Sequence, residues 1–262
     1  MPEVAAADAV LHVEVDGAGE PVTVVAHGLT NSCRELAPIT PLVVGTKVRF
    51  CFRGHGHSGA ASGGGGYGFG DFARDLDAVA VEYGATRAVG TSLGAGAICR
   101  LLASRPDRFE RLVFLLPAGL DRPFRHKARF LRTAEILETM PHEEAVEAML
   151  ADPERIEVYA RAPWIREYDR ARWADLRDPP ALALAIRQVI EDTPVRDRAV
   201  LRAVAAPVLI LCREGDPVHP AELGRAMAGI LPNAELLTFP DEVAMFQAMP
   251  ELVQKVNAFL AA

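Results

Sequence analysis

A serine between two glycines stands where it could act as a nucleophile. Ser92 belongs to the segment Gly90-Thr91-Ser92-Leu93-Gly94, which follows a short apolar run and precedes a helical pattern. A serine on a sharp strand-to-helix turn presents its hydroxyl at the helix N-terminus, where the positive end of the helix dipole favours developing negative charge. The glycines let the backbone turn without a Cβ clash. The segment therefore predicts a nucleophile, with a positive φ at Ser92 and its hydroxyl facing a pocket.

Two more loops follow apolar runs and carry polar groups. The run VTVVA leads into His27-Gly28-Leu29-Thr30, and KVRFCF leads into Arg53-Gly54-His55-Gly56-His57-Ser58-Gly59. A carbonyl under attack by a serine needs backbone N–H donors for the oxyanion that forms. We expect the amide of Leu29, in the first of these loops, and the amide of Leu93, directly after Ser92, to supply them.

The elements that must position these loops alternate between apolar runs and helical patterns. Most runs are apolar without alternation, which is typical of strands covered on both faces. This rhythm predicts an α/β fold with a mostly parallel central sheet and helices on both faces. We expect a hairpin between VLHVEV and VTVVA. We predict strands at 22–26, 47–52, 87–90, 111–116, 207–212 and 234–239, and helices from Asp71 as N-cap to Gly84 and at 93–104, 221–230 and 250–260.

The rhythm breaks between residues 121 and 198, where the pattern is helical and charged. This stretch is too long for a simple connection. We interpret 121–198 as a helical lid inserted into a core of 1–120 and 199–262. The lid holds both tryptophans and two tyrosines: Trp164, Trp173, Tyr159 and Tyr168. We expect at least one of the tryptophans to contact a cavity above Ser92.

Composition excludes several classes of partner. The 28 basic residues against 35 acidic ones give a net charge of −7, which argues against a nucleic-acid binder. No run is long and apolar enough to span a membrane, and the N-terminus lacks the pattern of a signal peptide. The four cysteines show no C-x-x-C spacing, so we expect no metal site, and no motif predicts a cofactor. We interpret the cysteines as buried thiols and expect a cytoplasmic protein. The dominance of Arg over Lys suggests a bacterial source, and the oligomeric state is open.

The motifs together resemble the α/β-hydrolase fold superfamily, in its lid-bearing esterase, lactonase and C–C hydrolase branch. HGLT, RGHGHSG, GTSLG and GDPVHP stand in that superfamily's order and spacing over essentially the whole chain, with the lid matched least. The resemblance implies Asp216 as the catalytic acid, with Asp121 as the weaker alternative, and places His219 beside the pocket but outside the triad. The residues expected at the substrate pocket are His27, Cys33, Tyr159, Trp164 and Trp173.

The chain departs from this family at the catalytic histidine. The family's histidine would fall at Val243 or Ala244, and no histidine occurs after His219. Three explanations are open. The histidine was replaced deliberately, leaving Ala244; it was lost as the fold took up other chemistry; or another residue is the base. A serine needs an adjacent base to lose its proton at neutral pH. The candidates for that base are His219, Glu242, Asp241 and His57.

The leading interpretation is an enzyme that acts on a small, largely apolar ester, lactone or ketone through Ser92 and an oxyanion hole. The alternatives are a non-hydrolytic cyclase, lyase or isomerase that uses the same pocket in biosynthesis, and a catalytically inactive binding protein.

Overall fold

One mixed sheet organises the chain. The computed structural model describes residues 2–41, 43–62, 66–124, 126–174 and 176–262. Its described strands form an eight-stranded sheet in the order β1-β2-β4-β3-β5-β6-β7-β8. The β1–β2 and β2–β4 pairs are antiparallel and the remaining pairs are parallel. The strands are β1 (Glu3–Ala6), β2 (Ala9–Asp16), β3 (Val22–Ala26), β4 (Thr46–Phe50), β5 (Arg87–Thr91), β6 (Arg111–Leu115), β7 (Val208–Arg213) and β8 (Ala234–Phe239).

Helices surround this sheet. Five of those described, α3 to α7, lie between β6 and β7 along the chain, where the sequence predicts a helical insertion. A 3-10 helix spans Arg198–Ala203. The α-helices are α1 (Phe69–Glu82), α2 (Leu93–Leu102), α3 (Lys127–Thr139), α4 (His142–Leu150), α5 (Pro153–Arg161), α6 (Pro163–Ala174), α7 (Pro179–Val189), α8 (Ala221–Ala228), α9 (Glu242–Gln247) and α10 (Met249–Ala261). Within the described ranges, no helix has both the length and the apolar character needed to cross a membrane.

The central strands are buried on both faces, which explains their unbroken apolar sequences. In β3, Val24 packs into a large core shared with α1 and α2, whereas Val25 packs into a second core shared with α10. Alternation of neighbouring residues between two cores is what the period of a strand requires. The predicted α/β fold with a mostly parallel sheet is confirmed.

The predicted hairpin between β2 and β3 is wrong. β4 lies between these strands, and β2 pairs antiparallel with β4, with Val13 opposite Phe50. The turn residues between β2 and β3 indicate a change of direction but cannot specify which strand becomes the neighbour.

The first helix also begins earlier than predicted, because Gly68 is its N-cap. Asp71 lies inside the first turn, where its carboxylate accepts the Gly68 N–H at 2.8 Å.

The topology brings the polar loops to one edge of the sheet. Strands β3, β5 and β7 are parallel members of the sheet, so their carboxyl ends meet at the same edge. The loops that leave these ends carry Leu29, Ser92 and Asp216. In an open α/β sheet, this edge is where ligands bind.

Candidate active site

Ser92 lies on a strained turn between β5 and α2. Its backbone has φ 49° and ψ −103°, so the positive φ predicted from the sequence is confirmed. The neighbouring glycines are required by close packing. A Cβ at Gly90 would lie 2.6 Å from the Gly94 carbonyl carbon, and a Cβ at Gly94 would lie 2.3 Å from the Ala26 oxygen. Strained backbone of this kind, costing on the order of 1–3 kcal/mol, is typical of functional turns.

His219 connects Ser92 to Asp216. Its Nε2 lies 3.1 Å from the Ser92 Oγ, and its Nδ1 lies 2.9 Å from the Asp216 Oδ2. An imidazole that donates from Nδ1 to a carboxylate keeps Nε2 as an acceptor, which is the tautomer that can take the serine proton. The three side chains thus form a continuous hydrogen-bonded line from hydroxyl to imidazole to carboxylate.

The loop after β7 supplies both His219 and Asp216. Asp216 Oδ1 accepts the backbone N–H groups of Val218 at 2.9 Å and His219 at 3.0 Å. These bonds fold the loop back on its own aspartate, a turn that aspartate favours. The turn brings the His219 ring over the second carboxylate oxygen, so residues three positions apart meet.

Asp216 is held in its charged form. Burial by itself raises the pKa of this carboxyl, but the charge and hydrogen bonds of His219, together with the Arg213 charge, outweigh burial. The net effect lowers the pKa of Asp216 far below its usual range. The Arg213 guanidinium donates from Nε to Asp216 Oδ2 at 2.6 Å, so this oxygen is shared between Arg213 and His219.

The two backbone amides that the sequence predicts as oxyanion donors lie after β3 and β5. Leu93 is the first residue of α2, and Leu29 lies in the loop after β3. In the described part of the chain, neither amide donates to another backbone group or to a side chain. The adjacent Gly94 N–H is occupied, because it donates to the His27 carbonyl at 3.1 Å and ties the two loops together.

His27 anchors the loop that contains Leu29. Its Nδ1 pairs with the Gly28 carbonyl at 2.7 Å, and its Nε2 accepts the Phe52 N–H at 3.0 Å. Burial, together with the nearby His55, lowers the pKa of His27 to about 3, so the ring is neutral. Both ring nitrogens are therefore occupied by backbone groups, and this side chain holds the loop in place.

Glu35 is a partly buried carboxyl that the sequence analysis missed. Its Oε2 accepts the Gly28 N–H at 2.6 Å and its Oε1 accepts the Asn31 side-chain amide at 2.7 Å. A Cβ added at Gly28 would lie 3.3 Å from the Glu35 carboxylate and 3.4 Å from the Ser92 Cβ, which places Glu35 next to the nucleophile. Burial raises the pKa of Glu35 to about 7, against the opposing effects of Gly28, Arg172 and Asn31.

Ion pairs lead from the acid into the inserted helices. Arg213 lies 3.5 Å from Glu242, and Glu242 accepts two bonds from Arg155 of α5 at 2.8 and 3.1 Å. Arg155 in turn donates to Asp169 of α6 at 2.9 Å. Glu242 is thus bound between two guanidinium groups, which leaves it poorly placed to act as a base.

The other candidate positions for a base have different surroundings. Val243 is buried in the core, and the Ala244 N–H donates to Asp241 Oδ1 at 2.8 Å, where Asp241 caps α9. The His57 ring lies 5.1 Å from the ring of His12. Among the described residues, His219 is the side chain that hydrogen-bonds the Ser92 hydroxyl.

The aromatic residues of the inserted segment divide into two groups. Trp164 is half exposed and contacts Phe246 edge-on at 4.9 Å, and Tyr168 lies 6.5 Å from the same ring. Trp173 is buried beneath the Arg172 guanidinium, and the Tyr159 hydroxyl donates to Asp169 at 2.8 Å. Contact between a tryptophan and a cavity above Ser92 stays a prediction.

Cys33 packs near Cys51, whose sulfur accepts the Cys33 N–H at 3.3 Å.

Comparison with known proteins identifies the family. A profile of the alpha/beta hydrolase family matches residues 23–251. The chain belongs to this family. The family match includes Ser92, His219 and Asp216, as well as the loop that carries Leu29.

Solved structures agree with the fold over the full length. An enol-lactonase from Burkholderia xenovorans LB400 has a TM-score of 0.82 at 21% identity, with both chains covered completely. A hydrolase from Pseudomonas aeruginosa PA01 has a TM-score of 0.80 at 24% identity, over 100% of this chain and 98% of the other. An esterase from Exiguobacterium antarcticum has a TM-score of 0.78 at 17% identity, over 99% of each chain.

Proposed function

We propose that this protein is a serine hydrolase of small, largely apolar esters or lactones, with Ser92 as nucleophile, His219 as base and Asp216 as acid. The observation that carries the proposal is the position of His219, within hydrogen-bond distance of both Ser92 Oγ and Asp216 Oδ2. Among the three explanations for the histidine absent from the family position, this geometry favours a base in another loop.

The geometry supports a two-step reaction. Ser92 Oγ attacks the substrate carbonyl while His219 Nε2 takes its proton, and the oxyanion that forms accepts the N–H groups of Leu29 and Leu93. His219 then gives the proton to the leaving alcohol. In the second step it activates water to release the acyl group from Ser92. Asp216 holds the imidazole tautomer and stabilises the imidazolium throughout.

We assign 121–198 the role of a lid over this site. Support comes from the contacts between Arg155 of α5 and Glu242, which attach the inserted helices to α9, the helix that follows β8. The aromatic side chains of α5 and α6 would then form the apolar side of the substrate pocket. This arrangement favours a small acyl group or a lactone ring over a large polar substrate.

A panel of substrates tests the proposal. Hydrolysis of p-nitrophenyl esters of increasing acyl length and of simple lactones should be measured for the wild type, Ser92→Ala and the matched control Ser104→Ala. We expect measurable turnover that Ser92→Ala abolishes and Ser104→Ala preserves. Turnover that survives Ser92→Ala would refute the role of Ser92. Failure to hydrolyse any member, together with reaction of Ser92 with a serine-directed phosphonate, would favour the non-hydrolytic cyclase, lyase or isomerase. The inactive binding protein would do neither.

A further inference from the structure

Three side chains that carry metal-binding atoms converge outside the catalytic line, and a fourth, Cys51, lies beside one of them. His12 and Glu14 lie two residues apart on β2 and therefore on the same face of the strand. Cys33 belongs to the loop after β3, and Cys51 directly follows β4. The ligand atoms of His12, Glu14 and Cys33 all lie within 4.8 Å of one another.

The His12 ring points a nitrogen into this cluster without a hydrogen-bond partner. The side chain is only 4% exposed, and its Nε2 is buried and makes no hydrogen bond. Leaving a buried polar atom unpaired costs about 1–3 kcal/mol. The nearest carboxylate oxygen, Glu14 Oε1, is 3.6 Å away. This separation is too long for a hydrogen bond. It is close to the distance between two ligand atoms of a tetrahedral metal site whose metal–ligand bonds are about 2.0–2.2 Å long.

The environment of Cys51 is suited to a thiolate. Its sulfur accepts the Cys33 backbone N–H at 3.3 Å and is also hydrogen-bonded by the His57 backbone. The backbone approaches so closely that a Cβ at Gly56 would lie 2.5 Å from the Cys51 sulfur, and Gly56 has φ 50°.

Glu14 gives the cluster a charge balance and a route to solvent. Its Oε2 lies 3.2 Å from the Arg49 guanidinium, while its Oε1 faces His12. The Glu14 side chain is 27% exposed, whereas Cys33 and Cys51 are buried. A cation entering past Glu14 would meet two sulfurs and an imidazole nitrogen.

We propose that His12, Glu14 and Cys33 bind a thiophilic divalent cation of the Zn²⁺ class, with Cys51, whose sulfur lies beside Cys33, moving in as the fourth ligand. Two sulfurs, one nitrogen and one carboxylate oxygen form a donor set that suits tetrahedral Zn²⁺. On binding, any thiol proton that Cys33 or Cys51 still carries passes to solvent. Two thiolates and one carboxylate around a divalent ion leave one net negative charge beside Arg49, which Glu14 shares with Asp16. The absence of C-x-x-C spacing does not exclude this site, because its ligands come from three separate segments.

A bound cation would restrain the loop that carries Leu29. It would attach Cys33 of this loop to β2 and to the residue that follows β4. The site would therefore have a structural role, remote from the reacting atoms. Its existence does not depend on ester hydrolysis, and the two proposals fail separately.

Cadmium provides the probe. Full-length protein is reduced, stripped with a chelator and titrated with Cd²⁺, and the ultraviolet charge-transfer absorption of thiolate–cadmium bonds is followed. We expect saturation at one Cd²⁺ per chain. Cys33→Ser, Cys51→Ser and His12→Gln should each weaken binding by at least about tenfold. Cys99→Ser and Cys212→Ser, which remove buried thiols in α2 and β7, should leave the titration unchanged.

The wild type gives a second measurement that needs no variant. Excess Zn²⁺ should raise its melting temperature, and a chelator should reverse the shift, because a ligand that binds the folded state stabilises it. A wild type without the cadmium absorption overturns the proposal, as does a melting temperature indifferent to Zn²⁺. An equal loss of Cd²⁺ binding in Cys99→Ser would also overturn it. So would a disulfide between Cys33 and Cys51 in metal-free protein that was purified under reducing conditions.

Discussion

Replacing Asp216 by asparagine should convert His219 into the wrong tautomer. Asp216 Oδ1 accepts two backbone N–H groups, those of Val218 and His219, and we expect the amide oxygen of an asparagine to keep both bonds. The amide NH₂ then faces His219 Nδ1, which at present pairs with Oδ2 at 2.9 Å. Two donors cannot pair, and the imidazole shifts its proton to Nε2. A ring protonated there cannot accept the proton of Ser92.

The expected loss in kcat is about 10⁴-fold, as found when the acid of a serine triad is changed to its amide. This loss corresponds to about 5 kcal/mol of transition-state stabilisation. The assay is steady-state hydrolysis of an activated ester at saturation, with folding checked by circular dichroism. Asp121→Asn is the matched control, because Asp121 follows β6, pairs with Arg198 and occupies the alternative acid position. A kcat for Asp216→Asn within tenfold of the wild type, or an equal loss in Asp121→Asn, would refute the assignment.

Three further predictions concern residues around this line. Ala244→His alone should leave ester hydrolysis unchanged, because Ser92 already has a base; a gain of about a hundredfold, typical of a newly supplied general base, would show that it has none. Raising the pH from about 5 to about 8 should destabilise the wild type relative to Glu35→Gln by up to about 3 kcal/mol. The folded-state pKa of Glu35, about 7, exceeds its ordinary value of 4.5, so the folded protein loses this proton within that pH window. Parallel pH dependence of the two unfolding free energies would contradict this. Glu242→Gln should lower the unfolding free energy by about 1–3 kcal/mol, because the guanidinium groups of Arg155 and Arg213 lose the charge that bridges them. The exposed control Glu235→Gln should change the unfolding free energy by less than about 1 kcal/mol. Equal effects of Glu242→Gln and Glu235→Gln in urea denaturation would remove the argument for the ion-pair chain.

Local signals in the sequence are enough to predict the sheet and the nucleophile turn. The apolar runs are continuous because the central strands face two cores, and GTSLG has glycines where packing leaves no room for a Cβ. Ser92 could therefore be placed, with its positive φ, from short-range pattern alone. The pairing of β2 with β4 could not, because strand order depends on contacts between distant segments.

The base could be named only as one of several candidates. The resemblance to the family directs attention to Val243 and Ala244, and the turn that brings His219 onto Asp216 depends on two backbone hydrogen bonds that no motif specifies. Glu35 was missed for a related reason. Its carboxyl is seven residues from Gly28 along the chain, but it meets the Gly28 N–H because the loop folds back. The residues before it, Asn31-Ser32-Cys33-Arg34, are mostly polar, so no local pattern singles out this glutamate.

The central claim is that His219 activates Ser92, and the rate of covalent modification of Ser92 tests it most directly. Wild type, His219→Gln and the exposed control His142→Gln are incubated with a fluorophosphonate, and labelling is followed by intact mass and located by peptide mapping. We predict rapid labelling of Ser92 in the wild type and in His142→Gln, and labelling at least about a hundredfold slower in His219→Gln, the lower end of what a general base supplies. Labelling of Ser92 at the same rate in His219→Gln and the wild type would contradict the account.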